Sequence, residues 1–144
     1  MPIPYQIYPQ HRLVYVRGSG TLRLSEVTDH FARLAVDPAY QAPMLKLVDY
    51  RTVNMGELTF AEIRRVATVK EGLMKAFEGE RTAFIVDSDL NFGLGRQHQS
   101  LMSETNIDVN VFRSFEDAVR WLGLEDLTEQ ALVSDWAQDD TPSL

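Results

Sequence analysis

The sequence predicts an α/β domain: a single mixed β-sheet of four to five strands covered by about four helices. Two apolar segments with period-two spacing open the chain, Tyr5 with Ile7 and Leu13 with Tyr15, and Pro9-Gln10-His11 separates them. That is a hairpin pattern. Two short, mostly apolar runs follow, Met44-Leu45-Lys46-Leu47-Val48 and Thr82-Ala83-Phe84-Ile85-Val86, as in strands buried on both faces. Segments of helical spacing alternate with them.

The second hairpin strand runs from about Arg12 to Arg17 and ends at Gly18-Ser19-Gly20. Leu24, Val27, Phe31 and Leu34 then define a helix, with its N-cap at Ser25 or a few residues earlier and Glu26 suited to its first turn. Asp37-Pro38 closes it, because the residue before proline disfavours helical geometry. After the strand ending at Asp49, Thr59-Phe60-Ala61-Glu62 forms a capping box. Phe60, Ile63, Ala67, Leu73, Met74 and Phe77 are expected on one inward face of a long helix that stops at Gly79. A helix over Asn91 to about Glu104 follows the second buried strand, and Val109-Asn110-Val111-Phe112 forms the last one. Ser114 then caps a short helix that ends at Gly123.

The 144 residues are 44% hydrophobic and 24% charged, ordinary values for one globular domain. There is no cysteine, which excludes disulfides and thiolate chemistry. The opening Met1-Pro2-Ile3-Pro4-Tyr5 has no basic region leading into an apolar run, so no signal peptide is expected. No run approaches the roughly 18 apolar residues of a membrane span. A cytoplasmic location is the expectation. The net charge of -7 is concentrated after Gly123, where six acids and no bases leave 15 acidic against 14 basic residues in the rest. No basic face for nucleic acid follows from that balance. The expected organisation is a domain over residues 1–124 and an acidic tail over 125–144, able to form an appended helix through Leu127, Ala131, Leu132 and Trp136.

Three segments together resemble the STAS-like family, related to bacterial anti-sigma factor antagonists. They are the opening strand and helix closing at Asp37-Pro38-Ala39-Tyr40, the strand ending Leu47-Val48-Asp49-Tyr50-Arg51, and the closing unit from Val111 to Gly123. The resemblance covers roughly residues 5 to 124. It implies a mixed sheet with helices partly on one side, and binding more than catalysis. Family members typically dock on a partner protein, and some bind a small ligand. In one branch a serine at the start of the helix corresponding to the one after the strand ending at Asp49 is switched by phosphorylation. Here Gly56-Glu57-Leu58-Thr59 stands in place of the serine-glycine-leucine signature, and Thr59 explains itself as a capping residue.

Candidate site residues follow from strand polarity. Ligands of open α/β sheets bind beyond the carboxyl ends of parallel strands. Asp49, Arg51, Asp87, Ser88 and Asp89 fall at such ends. They form either a polar pocket or docking rim, or a local Asp49–Arg51 pair beside a turn and cap. Asp87-Ser88-Asp89 without a phosphate loop is a weak metal signal. Gly93-Leu94-Gly95-Arg96 could present amides and the Arg96 cation to an anion, or let a helix approach a strand. His11, His30 and His98 share no ligand spacing. The tyrosines, with Phe31, Phe60 and Phe84, are core residues or the lining of a cavity.

The leading expectation is a non-catalytic regulatory module of the bacterial cytoplasm. It would dock an unidentified protein partner through residues 49–59 and 87–96, Thr59 included. The alternative is a small-molecule or lipid carrier or sensor, whose small apolar ligand needs a cavity of about 300 Å³. No cofactor and no catalytic motif are indicated. Trp136 must be covered by its own domain or by a second copy in a homodimer.

Overall fold

The computed structural model describes residues 3–139. Its elements are β1 (Tyr5–Tyr8), β2 (Leu13–Arg17), β3 (Gly20–Thr21), α1 (Leu24–Ala35), β4 (Leu45–Asp49), β5 (Val53–Asn54), α2 (Phe60–Glu71), α3 (Met74–Phe77), β6 (Arg81–Ile85), α4 (Asp89–Met102), β7 (Asp108–Phe112), α5 (Phe115–Trp121) and α6 (Glu129–Asp139). The main sheet has the order β1-β2-β4-β6-β7. β1 is antiparallel to β2, and every other pair is parallel. β3 and β5 form a separate parallel ribbon.

Strand alternation divides the interior into two layers. Val14, Val16, Val48, Val109 and Val111 face a core closed by α1, α2, α3 and α4. Leu13, Tyr15, Leu47, Ala83 and Ile85 face a second core closed by α5 and α6. The sheet is therefore covered on both sides, which is why its parallel strands read as apolar runs.

Helix boundaries follow local chemistry. The Thr59 hydroxyl accepts from the Glu62 amide at 3.1 Å, and the Glu62 carboxylate accepts from the Thr59 amide at 3.1 Å. Ser88 and Ser114 accept from the amides of Asn91 and Asp117 in the same way. Of the two starts expected for α1, the earlier one holds and Ser25 is not the cap: Arg23 takes that position, and its amide donates to Glu26 at 3.1 Å. The long helix after Thr59 is also corrected. It breaks after Glu71 at Gly72, and α3 is a separate short turn of helix. Phe60 is 74% exposed rather than inward, because the first turn of α2 projects past the face that Ile63, Val66, Ala67 and Lys70 bury. Gly79 keeps its expected role as a stop, at φ +77°.

Trp136 is covered by its own domain. It meets the Tyr15 ring edge-on at 5.7 Å, with the Arg17 guanidinium 5.4 Å from its ring centre. Residues 140–144, expected to fray together with Asp139, lie outside the described residues. No helix among the described residues is long and apolar enough to cross a membrane.

Candidate functional site

β4 and β6 are neighbours, yet the polar residues beyond their ends do not form one cluster. Arg51 makes a fork on Asp49, with Nε donating at 3.0 Å and Nη2 at 2.7 Å, and Nη2 also donates to Glu129 at the start of α6. The hydrogen bonds to Asp49 are the main reason the Arg51 pKa rises, burial opposes them, and Glu129 adds to the rise. This network floors an open groove flanked by Arg17, Ser19, Thr52 and Trp136.

The other predicted residues lie elsewhere. Ser88 caps α4. Asp89 accepts from Arg113 at 2.7 Å with its side chain 97% exposed, an arrangement worth little in water. Asp87 and Arg96 are exposed, and Arg96 lies 6.0 Å from the Phe92 ring. Thr59 is an exposed cap. Among the described residues no hydrogen bond or ion pair joins Asp49 and Arg51 to Asp87, Ser88 or Asp89, and no group of three or more histidine or acidic side chains is placed to hold a metal ion. Gly95 serves packing: a Cβ there would meet Val111 Cγ2 at 3.0 Å.

A second set of polar residues lies inside the core between the sheet and α1, α2 and α4. Glu80 is completely buried. It accepts from Lys70 Nζ at 2.6 Å, Thr82 Oγ1 at 2.7 Å and the Tyr40 hydroxyl at 2.5 Å. Burial pushes its carboxyl pKa up, but Lys70, Lys46 and the hydrogen bonds outweigh that and lower it to about 2. Burial first, and then Glu80, raise the Tyr40 hydroxyl.

Lys46 has no carboxylate of its own, and its side chain is hydrogen-bonded to that of Lys70. It is 2% exposed and makes no ion pair among the described residues, and its ammonium lies 5.2 Å from the Phe31 ring centre. Its pKa falls well below the ordinary lysine value, through burial and then the charge of Lys70. His30 has both ring nitrogens buried and unbonded, and His98 has Nδ1 so. Burial first, then the lysines, depress both imidazoles, His98 to about 3.

Lys46, His30 and His98 line a partly enclosed cavity of about 50 Å³. Lys46, Lys70, His30 and His98 interrupt a wall of apolar side chains such as Val27, Met55, Leu58 and Leu94. Of the aromatic residues considered as a lining, Phe31, Tyr50 and Phe84 take that role, whereas Tyr15 faces the opposite core. A void that holds one water needs about 10–15 Å³, and sites for drug-sized ligands begin near 300 Å³. The cavity thus admits a molecule of a few heavy atoms and not a lipid.

Sequence reasoning missed this interior set, although each member is in phase with its apolar neighbours. His30 stands with Val27, Phe31 and Leu34, and Lys70 with Ile63, Val66 and Ala67. Lys46 occupies the middle of a strand covered on both faces, where any side chain must be buried.

The fold is similar to that of a solved structure from Shewanella loihica PV-4, an uncharacterised protein of the DUF3478 family with a SpoIIAA-like fold. The TM-score is 0.56 at 18% identity, over 84% of this chain and 94% of that one. The chain therefore has a STAS-like fold. No protein-family model matches the chain, and no curated protein matches it by sequence.

Proposed function

We propose that this chain is a non-catalytic, STAS-like binding module whose ligand site is the cavity between the sheet and α1, α2 and α4. One observation carries the proposal: the cavity is lined by His30 and His98, whose side chains hold buried ring nitrogens without hydrogen-bond partners. Buried polar groups are nearly always hydrogen-bonded, and a ligand that supplies the missing partners gains accordingly. The predicted rim is a weaker candidate, since Asp49, Arg51, Thr59 and Ser88 already satisfy one another or their own helices.

The test is a panel of fragments of three to six heavy atoms, neutral and charged, titrated while methyl resonances are followed by NMR. Val27, Met55 and Leu94 should shift and Leu132, across the sheet, should not. A panel in which no member moves the cavity methyls rejects the proposal.

A second function, protein docking, is favoured by Phe60 and Leu90, large apolar side chains 74% and 57% exposed. They stand at the starts of α2 and α4, beside the capping residues Thr59 and Ser88. Phe60→Ser with Leu90→Ser should abolish capture of a partner from host extract while leaving cavity binding intact. Unchanged capture would remove this patch from consideration.

A further inference from the structure

We infer that the ligand of this cavity is a short-chain monocarboxylate, held by the Lys46 ammonium and an imidazole N–H of His30, with its alkyl end against the apolar wall. The inference rests on the cavity being a binding site and adds the chemical class of its occupant.

The argument begins with charge. The interior cluster holds two lysines, Lys46 and Lys70, and one carboxylate, Glu80. Glu80 is committed to Lys70, at 2.6 Å, and to Thr82 and Tyr40. The cluster is therefore one anion short of neutral whenever both lysines carry protons. A charge in a dry interior is tolerated when it is paired. With Lys46 protonated the missing partner is one negative charge, and Lys46, 2% exposed, lines the space where it would sit.

Hydrogen-bonding capacity gives the same answer. An ammonium is a donor only, and a neutral imidazole has one N–H to give. Lys46, His30 and His98 line the same space, and neither ring nitrogen of His30 has a hydrogen-bond partner. A carboxylate, which is an acceptor only, complements them. Tyr50 and Phe84 are among the apolar side chains that form most of the remaining wall. A phosphate or sulfate would leave several oxygens against them unbonded, which is costly. A single carboxylate on a short alkyl chain places two oxygens on the donors and carbon on the rest. The volume of about 50 Å³ limits the chain to a few carbons.

Lys46 should gain a proton as the anion enters. The groups facing it are Lys70 on α2, Glu80 ahead of β6, His30 on α1 and His98 on α4. Lys70 and burial hold Lys46 toward its neutral form in the empty protein, and Glu80 opposes them only partly. An anion at Lys46 reverses that balance. Affinity should accordingly fall as pH rises, with net proton uptake on binding.

The experiment is calorimetry and NMR titration of the full chain with propionate, propionamide, propan-1-ol and inorganic phosphate. Propionate should bind at least tenfold more tightly than propionamide, and phosphate should not bind the cavity. At pH 8.5, propionate titrations in buffers of unlike ionisation enthalpy should reveal proton uptake. Lys46→Met should erase both the preference for propionate and the uptake. Equal affinity for propionate and propionamide, tighter binding of phosphate, or an unaltered preference in Lys46→Met overturns the inference while leaving the cavity as a binding site. Failure of all four compounds and of the neutral fragments to move the cavity methyls overturns both. Proton uptake is read on the unsubstituted protein, so the inference can fail even where the variant does not fold.

Discussion

Replacing Glu80 by glutamine should destabilise the protein by about 3 kcal/mol at pH 7. The figure follows from its surroundings. A carboxyl lowered from 4.5 to about 2 stabilises the folded state by about 3 kcal/mol at neutral pH, at about 1.4 kcal/mol per tenfold change in acidity. Removal of one partner from a buried ion pair costs about 3–5 kcal/mol by a separate route, the charge left behind, here the Lys70 ammonium. Urea unfolding should report the loss as a lower midpoint with an unchanged slope, and the melting temperature should fall by about 10 °C. Because the folded carboxyl is the more acidic one, its contribution is complete above about pH 4.5 and disappears as pH falls toward 2. Glu80→Gln should flatten the stability profile within that window. The double substitution Glu80→Gln with Lys70→Met should recover much of the loss, since an isosteric apolar group needs no counter-charge. A loss under about 1 kcal/mol, the size of one neutral hydrogen bond, with acid sensitivity unchanged, would refute the reasoning.

Four further substitutions test three separate features. Lys46→Met should raise stability at pH 7 by about 1–4 kcal/mol, because an apolar residue of similar length replaces a buried amine set against the like-charged Lys70; a lower urea midpoint would contradict this. Gly93→Ala, where a Cβ meets nothing within 4 Å, should stabilise α4 by about 1 kcal/mol, whereas Gly95→Ala, which presses Val111 at 3.0 Å, should lose about 1–3 kcal/mol. The two calorimetric melting shifts should have opposite signs. Trp136→Ala, which empties the contact with Tyr15 and Arg17, should lose about 3 kcal/mol by urea unfolding, and an unchanged midpoint would mean that α6 adds nothing to the fold.

The strands of the main sheet were legible because a parallel sheet covered on both faces leaves uninterrupted apolar runs, as around Leu47 and Ala83, whereas their order and the β3–β5 ribbon were not. Helix starts were legible where a hydroxyl caps an amide, at Thr59, Ser88 and Ser114. The start of α1 was not, because Arg23 has no such oxygen and only Glu26 reaching back marks the site. Phe60 was misplaced because periodicity tells which face a residue shares and not whether the core extends that far along the helix. The interior charges were hidden for a related reason. A search for apolar periods passes over Lys46 and Lys70 as interruptions, although period two and period 3.6 place them inward with their neighbours. That Lys70 finds Glu80, ten residues on, across the break after Glu71 depends on a chain reversal with no local signature.

Both tryptophans, Trp121 and Trp136, belong to the layer beneath α5 and α6, and the cavity belongs to the other. The sheet is thus an optical partition. Excitation at 295 nm would interrogate one side of the molecule, while the proposed ligand site lies on the other. An emission change on ligand addition would have to be carried through the strands, along β4 above all, where Lys46 faces one layer and Leu47 the next. The intrinsic fluorophores therefore stand as a ready-made gauge of whether occupancy in one half of this domain is felt by the other.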